Sequence, residues 1–115
     1  MWHQDAPFTN EAGGELVVLW IPLAIDGAGG APLRIARGSQ HGPAMLESGL
    51  AWWLDVIGPE FEVVEEGDVE KRYGVDTAVC SVGDIVALHG LVVHASEPNR
   101  SETERAAYSV RFSTV

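Results

Sequence analysis

Within its first five residues, MWHQD, the chain places a histidine and an aspartate one residue apart. In an extended segment, residues two apart project to the same side. His3 and Asp5 would then offer an imidazole nitrogen and a carboxylate oxygen to one point. A third such donor, His94, stands where the apolar run GLVVHA gives way to the polar loop SEPNRS. Two histidines and one carboxylate form a facial set that leaves three positions of an octahedral metal open. Non-haem Fe(II) oxygenases use those positions for a chelating cosubstrate and O₂. Taken alone, His3 and Asp5 read more simply as a solvated chain start. Their chemical meaning comes from His94 and from the residues downstream of it.

Downstream stands Arg105, eleven positions after His94 (105 − 94) and at the start of the last apolar run. A hairpin-like return through ASEPNRSETE would bring it beside the strand end that carries His94. A buried arginine grips a carboxylate in a two-pronged fashion, which suits the far end of 2-oxoglutarate. Ala107 and Ser109 would share its face and leave room, and Ser96 could add a hydroxyl. The other histidines have plainer readings: His41 as turn structure and His89 as a packed or hydrogen-bonded strand residue. Cys80 alternates with apolar neighbours and reads as a small buried hydrophobe. Glu65, Glu66, Asp68 and Glu70 read as a solvated loop, and Arg100 and Arg111 as surface or ion-pairing residues. GAGG (residues 27–30) lacks the following helix and Lys that a phosphate loop needs.

The elements that must position these groups are mostly strands. ELVVLWIPL (15–23), PLRIA (32–36), FEVVEE (61–66), TAVCSV (77–82), DIVALHG (84–90), LVVHA (91–95) and RAAYSVRFSTV (105–115) are short, β-branched or alternating, with Gly, Pro and Asp between them. One stretch has helical spacing: Met45, Leu46, Leu50, Trp53, Leu54 and Ile57, bracketed by Pro43 and Gly58, predict a helix over 44–57. Many short strands with one helix indicate a mainly-β sandwich or small barrel.

Composition narrows the partners. Seventeen acidic against seven basic residues give a net charge of −10, which disfavours nucleic acid and anionic membranes. A single cysteine excludes an internal disulfide and suits a reducing compartment. With no apolar run of spanning length and no signal-like segment, a soluble, cytoplasmic single domain over residues 1–115 is expected.

The motifs WHQD, LWIPL, PLRIARGSQHG and GDIVALHGLVVHASEPNRSETERAAYSVRF run in an order that resembles the phytanoyl-CoA dioxygenase family. The resemblance extends from Trp2 to Phe112 and is weakest in the helical stretch and over 61–79. It implies a double-stranded β-helix (jelly-roll, cupin-like) core and an Fe(II)- and 2-oxoglutarate-dependent dioxygenase hydroxylating a small organic metabolite with O₂. By that resemblance His3, Asp5 and His94 are the iron ligands. Arg105 anchors the 2-oxoglutarate carboxylate, Ser96 helps it, and Trp20 lines the cosubstrate pocket. Asp5 argues for hydroxylation over halogenation, which requires a small residue at that position. Family members carry a long segment before the His-x-Asp pair, so the chain reads as the C-terminal portion of such a domain, incomplete at its N-terminus. Two other readings stand beside this one. The chain could be a catalytically inactive β-helix fragment that forms a homo-oligomer through an exposed sheet face, or a cupin-like metal-dependent isomerase with no need of Arg105.

Overall fold

The computed structural model describes residues 1–5, 16–25, 30–42, 44–45 and 63–113. Within them the strands are β1 (Leu16–Ala24), β2 (Leu33–Ala36), β3 (Ala44–Met45), β4 (Val63–Val64), β5 (Val75–Ala78), β6 (Val86–His89), β7 (His94–Ser96) and β8 (Ala106–Ser113). Among the described residues a short α-helical turn, α1 (Val69–Arg72), precedes β5. The architecture is mainly β and cupin-like, dominated by two antiparallel three-stranded sheets of order β6-β1-β8 and β5-β2-β7.

The period-two pattern of LVVLWIPL dictates how the sheets meet. Leu16, Val18, Trp20 and Pro22 are buried on one face of β1. Their register partners on β8 are Ser113, Arg111, Ser109 and Ala107. The core between the sheets joins Leu16, Val18 and Trp20 to Leu33, Cys80, Leu88 and Val92, with Ile35 and Ala107 packed against it. A second cluster lies on the other side of β2 and β7, where Ala36, Val93 and Ala95 meet Trp2 and Val69. β7 therefore alternates between two interiors. Val93 and Ala95 face the second cluster, while His94 and Ser96, paired with Ile35 and Leu33, face the space between the sheets.

The first five residues act as a further edge beside β7. His3 and His94 exchange backbone hydrogen bonds, N to O, at 2.9 Å each, and Asp5 N donates to the Gly90 carbonyl at 3.1 Å. Ser39, fully buried, donates its hydroxyl to Ala36 O (2.7 Å) and accepts from Val93 N (2.8 Å). The RGSQHG turn thus fixes the entry to β7, and His41 is an exposed part of that turn.

Two sequence expectations change. The helix over 44–57 does not begin at residue 44. Ala44–Met45 pair in parallel with Val63–Val64 instead, and that ladder outweighs a weak local helical preference. Residues 46–58 lie outside the described residues, as do Phe61 and Glu62 of the strand expected there. The acids at 65–70 are exposed, but two of them make long-range contacts. Glu66 accepts from Trp2 N (3.0 Å) and Glu70 from Arg34 (2.8 Å). Cys80 is buried as expected, and burial pushes its thiol pKa up.

Gly90 sits where β6, β1 and the N-terminal segment converge: its N–H donates to Leu16 O (2.7 Å) and its carbonyl accepts from Asp5. A Cβ built there would lie 2.7 Å from the Leu16 Cβ, closer than such atoms approach. Gly90→Ala is expected to cost about 1–3 kcal/mol by overpacking, read as a lower urea midpoint. Gly67→Ala, with open space around it, is the control expected to leave the midpoint near wild type.

Candidate metal centre

His3 and Asp5 reach one place because the segment that carries them is extended and paired to β7, and His94 reaches it from the opposite strand of that pairing. Trp2 and Gln4 point the other way. Trp2 enters the second cluster under the Arg34 guanidinium (5.2 Å to the ring centroid), and Gln4 donates to the Leu91 carbonyl at 2.6 Å. These contacts lock the alternation, so the ligand-type residues must face inward.

One donor atom from each of His3, Asp5 and His94 lies within 4.8 Å of the others. Asp5 and His94 are 6% and 7% exposed, and His94 Nε2 is 3.6 Å from Asp5 Oδ2. The His3 and His94 rings are 4.2 Å apart, centre to centre. Each imidazole has its Nδ1 against a backbone carbonyl, Val92 O for His94 (3.0 Å) and Met1 O for His3 (3.3 Å). A carbonyl can only accept, so the proton sits on Nδ1 and Nε2 keeps its lone pair, the tautomer a metal ligand needs. Neighbouring ligands on an octahedral ion with bonds of about 2.1 Å stand about 3 Å apart. The donor atoms, within 4.8 Å of one another, would have to draw together by side-chain rotation to reach that spacing. Two imidazoles with a carboxylate are a donor set that suits a first-row divalent ion such as Fe(II).

A second group assembles between the sheets. Arg105 donates from Nη2 to Ser96 Oγ (3.1 Å), and its guanidinium carbon lies 5.1 Å from the centre of the Trp20 ring. The Arg105 Nε is buried and has no hydrogen-bond partner among the described residues. A buried guanidinium edge left unpaired is costly unless an acceptor arrives, and a carboxylate is the acceptor it matches. Arg105 does return toward the His94 strand, though not as a hairpin: β7 and β8 belong to different sheets, and the guanidinium bridges them. Asn99 shapes the intervening loop by accepting from Ser101 N (3.0 Å) and donating to Thr103 O (2.9 Å).

Arg111 is the residue whose place the sequence left open. Its Nη2 lies 3.2 Å from Asp5 Oδ1, an ion pair that reaches into the metal-type cluster. The signal was the period-two continuation of Arg105, Ala107 and Ser109 along β8. His89 is exposed, with Nδ1 accepting from Leu91 N at 3.1 Å.

A cupin-like double sheet with two histidines and one carboxylate gathered at one place, Asp5 and His94 buried and His3 half-buried, is an arrangement that suits a metal ion. The chain belongs to the phytanoyl-CoA dioxygenase family, whose sequence model matches residues 1–107. Members of this family are generally Fe(II)- and 2-oxoglutarate-dependent oxygenases. The chain is similar to the mouse phytanoyl-CoA dioxygenase domain-containing protein 1, at 29% identity over 127 aligned positions that cover 96% of this chain and 38% of the relative. It is also similar to the Dictyostelium discoideum homolog of that protein, at 46% identity over 46 residues, 37% of this chain and 16% of the relative. The chain thus spans well under half the length of these curated relatives. Among the described residues, no helix is long and apolar enough to cross a membrane.

Burial holds the His94 pKa below its ordinary 6.5, reinforced by His3 and Arg111 and opposed by the Val92 carbonyl and Asp5. In metal-free protein the folded state therefore refuses a proton that the unfolded chain accepts. This contribution to stability is complete above about pH 6.5 and is lost as the pH falls below it. Urea midpoints at pH 7.5 and 5.5 should show a drop in wild type that is smaller in His94→Gln; equal drops would refute the assignment.

Proposed function

We propose that this chain carries the iron- and cosubstrate-binding part of a 2-oxoglutarate-dependent dioxygenase that hydroxylates a small organic metabolite. In this reading His3, Asp5 and His94 hold Fe(II), and Arg105, with Ser96 and beside Trp20, takes the distal carboxylate of 2-oxoglutarate. Bound together, the metal and cosubstrate supply the oxidising power for inserting one oxygen atom of O₂ into a C–H bond. The protein's own contributions are geometric. His94 is held by Val92 and Asp5 by Arg111, while the apolar wall of Trp20, Val18 and Leu33 limits water between the sheets. The observation that carries the reading is the pairing of two sites in one interior: a three-donor cluster and, from the neighbouring strand faces, a guanidinium whose buried Nε has no partner among the described residues. A cupin-like isomerase would need the cluster but not Arg105.

The outer face of β1 and β8 favours a second reading, self-association. Val17, Leu19 and Ile21 pair there with Phe112, Val110 and Tyr108, and Tyr108 and Phe112 are 62% and 56% exposed. Apolar neighbours of this kind are unusual on a free surface.

Anaerobic titration with Fe(II) and 2-oxoglutarate should give the weak visible charge-transfer band of the chelate. His94→Ala should abolish it, and Arg105→Ala should raise the 2-oxoglutarate requirement roughly 10- to 100-fold, the worth of a lost charged hydrogen bond. No band from folded wild type would end the oxygenase reading for this chain, and an unchanged requirement in Arg105→Ala would remove Arg105 from it. For the second reading, sedimentation should show concentration-dependent association that Phe112→Lys weakens. A monomer at all concentrations would dismiss it.

A further inference from the structure

The Asp5 carboxylate has its two oxygens in different surroundings. Oδ2 lies on the His94 side of the cluster, 3.6 Å from Nε2, while Oδ1 accepts from Arg111 Nη2 at 3.2 Å. The Asp5 side chain is 8% exposed and that of Arg111 is 47% exposed, so the guanidinium reaches in from β8, an edge strand among the described residues, to a buried acceptor. Asp5 stands at the end of the described N-terminal segment, where its backbone N–H is held by the Gly90 carbonyl. That bond places the residue; the guanidinium sets the rotation of the carboxylate about its own axis.

Resting on the metal-site reading above, we infer that Arg111 is a positioning residue. By holding Oδ1 it restricts Asp5 to one oxygen, Oδ2, as a metal ligand, and so keeps the remaining positions of the ion open. A carboxylate has lone pairs enough on its two oxygens to accept the guanidinium and a metal at once, so the two contacts need not compete. Chelation by both oxygens would fill one more position and displace whatever must bind there. Outer partners of this kind typically change metal affinity 10- to 100-fold when removed.

Charge alone makes the opposite prediction, which is what allows a decision. A guanidinium next to a divalent ion repels it, so its loss would tighten binding if Arg111 acted only through its field. The contact uses a single nitrogen, so a lysine ammonium can replace it. Mn(II) affinity would be measured by calorimetry and by the free-ion electron paramagnetic resonance signal, on wild type, Arg111→Leu and Arg111→Lys. Urea unfolding of each metal-free protein would confirm that both variants fold. Arg111→Leu is expected to weaken Mn(II) binding roughly 10- to 100-fold, with Arg111→Lys restoring most of it. Unchanged or tighter binding in folded Arg111→Leu, or equal loss in both variants, would overturn the positioning role while leaving the metal site intact. Failure of wild type to bind Mn(II) would overturn both.

Discussion

The reciprocal pair of backbone hydrogen bonds between His3 and His94 is the constraint on which the site depends. Residues that exchange both bonds in an antiparallel pair stand directly opposite each other with side chains on one face. That single registration delivers two imidazoles to one point. The alternation of the strand then puts Asp5 beside them. A slip of one residue would turn His3 and Asp5 outward and bring Trp2 and Gln4 inward.

Registration is enforced from the far side. Trp2 is buried with Ala36, Val69, Val93 and Ala95, its N–H is taken by Glu66, and Arg34 lies over its ring while pairing with Glu70 and Glu97. The apolar and charged contacts of one face thus set the geometry of the other. β7 obeys the same rule. Val93 and Ala95 anchor it in the second cluster, Ser39 holds its entry, and His94 and Ser96 are left to face the space between the sheets.

Residues whose neighbours in sequence share their environment are legible without coordinates. His3 and Asp5 differ by two, so their common face follows from strand periodicity. Trp20 follows from the alternation of LVVLWIPL, and the burial of Cys80 from its apolar context. Contacts that depend on how distant elements meet are harder to see. Arg111 looks like any surface cation on an acidic chain until β8 is laid beside β1 and the N-terminal segment beside β7. Glu66 and Glu70 look like loop acids until Trp2 and Arg34 arrive. The return of Arg105 can be read from its spacing, but as a hairpin; its loop crosses between sheets, which local spacing cannot distinguish. At Ala44–Met45 the opposite happens: helical apolar spacing suggests the first turn of a helix where these two residues pair with Val63–Val64 instead.

The Arg111 contact to Asp5 joins residues 106 positions apart, and that of Gln4 to Leu91 spans 87. Closing loops of this length is entropically costly before any contact forms, so such pairings belong to the late part of folding. The cluster accordingly has no local precursor in the unfolded chain. An ion bound there would favour the native state alone, adding about 2.7 kcal/mol at a hundredfold excess over its dissociation constant. Metal supply would then govern the survival of the whole fold as well as the readiness of its centre.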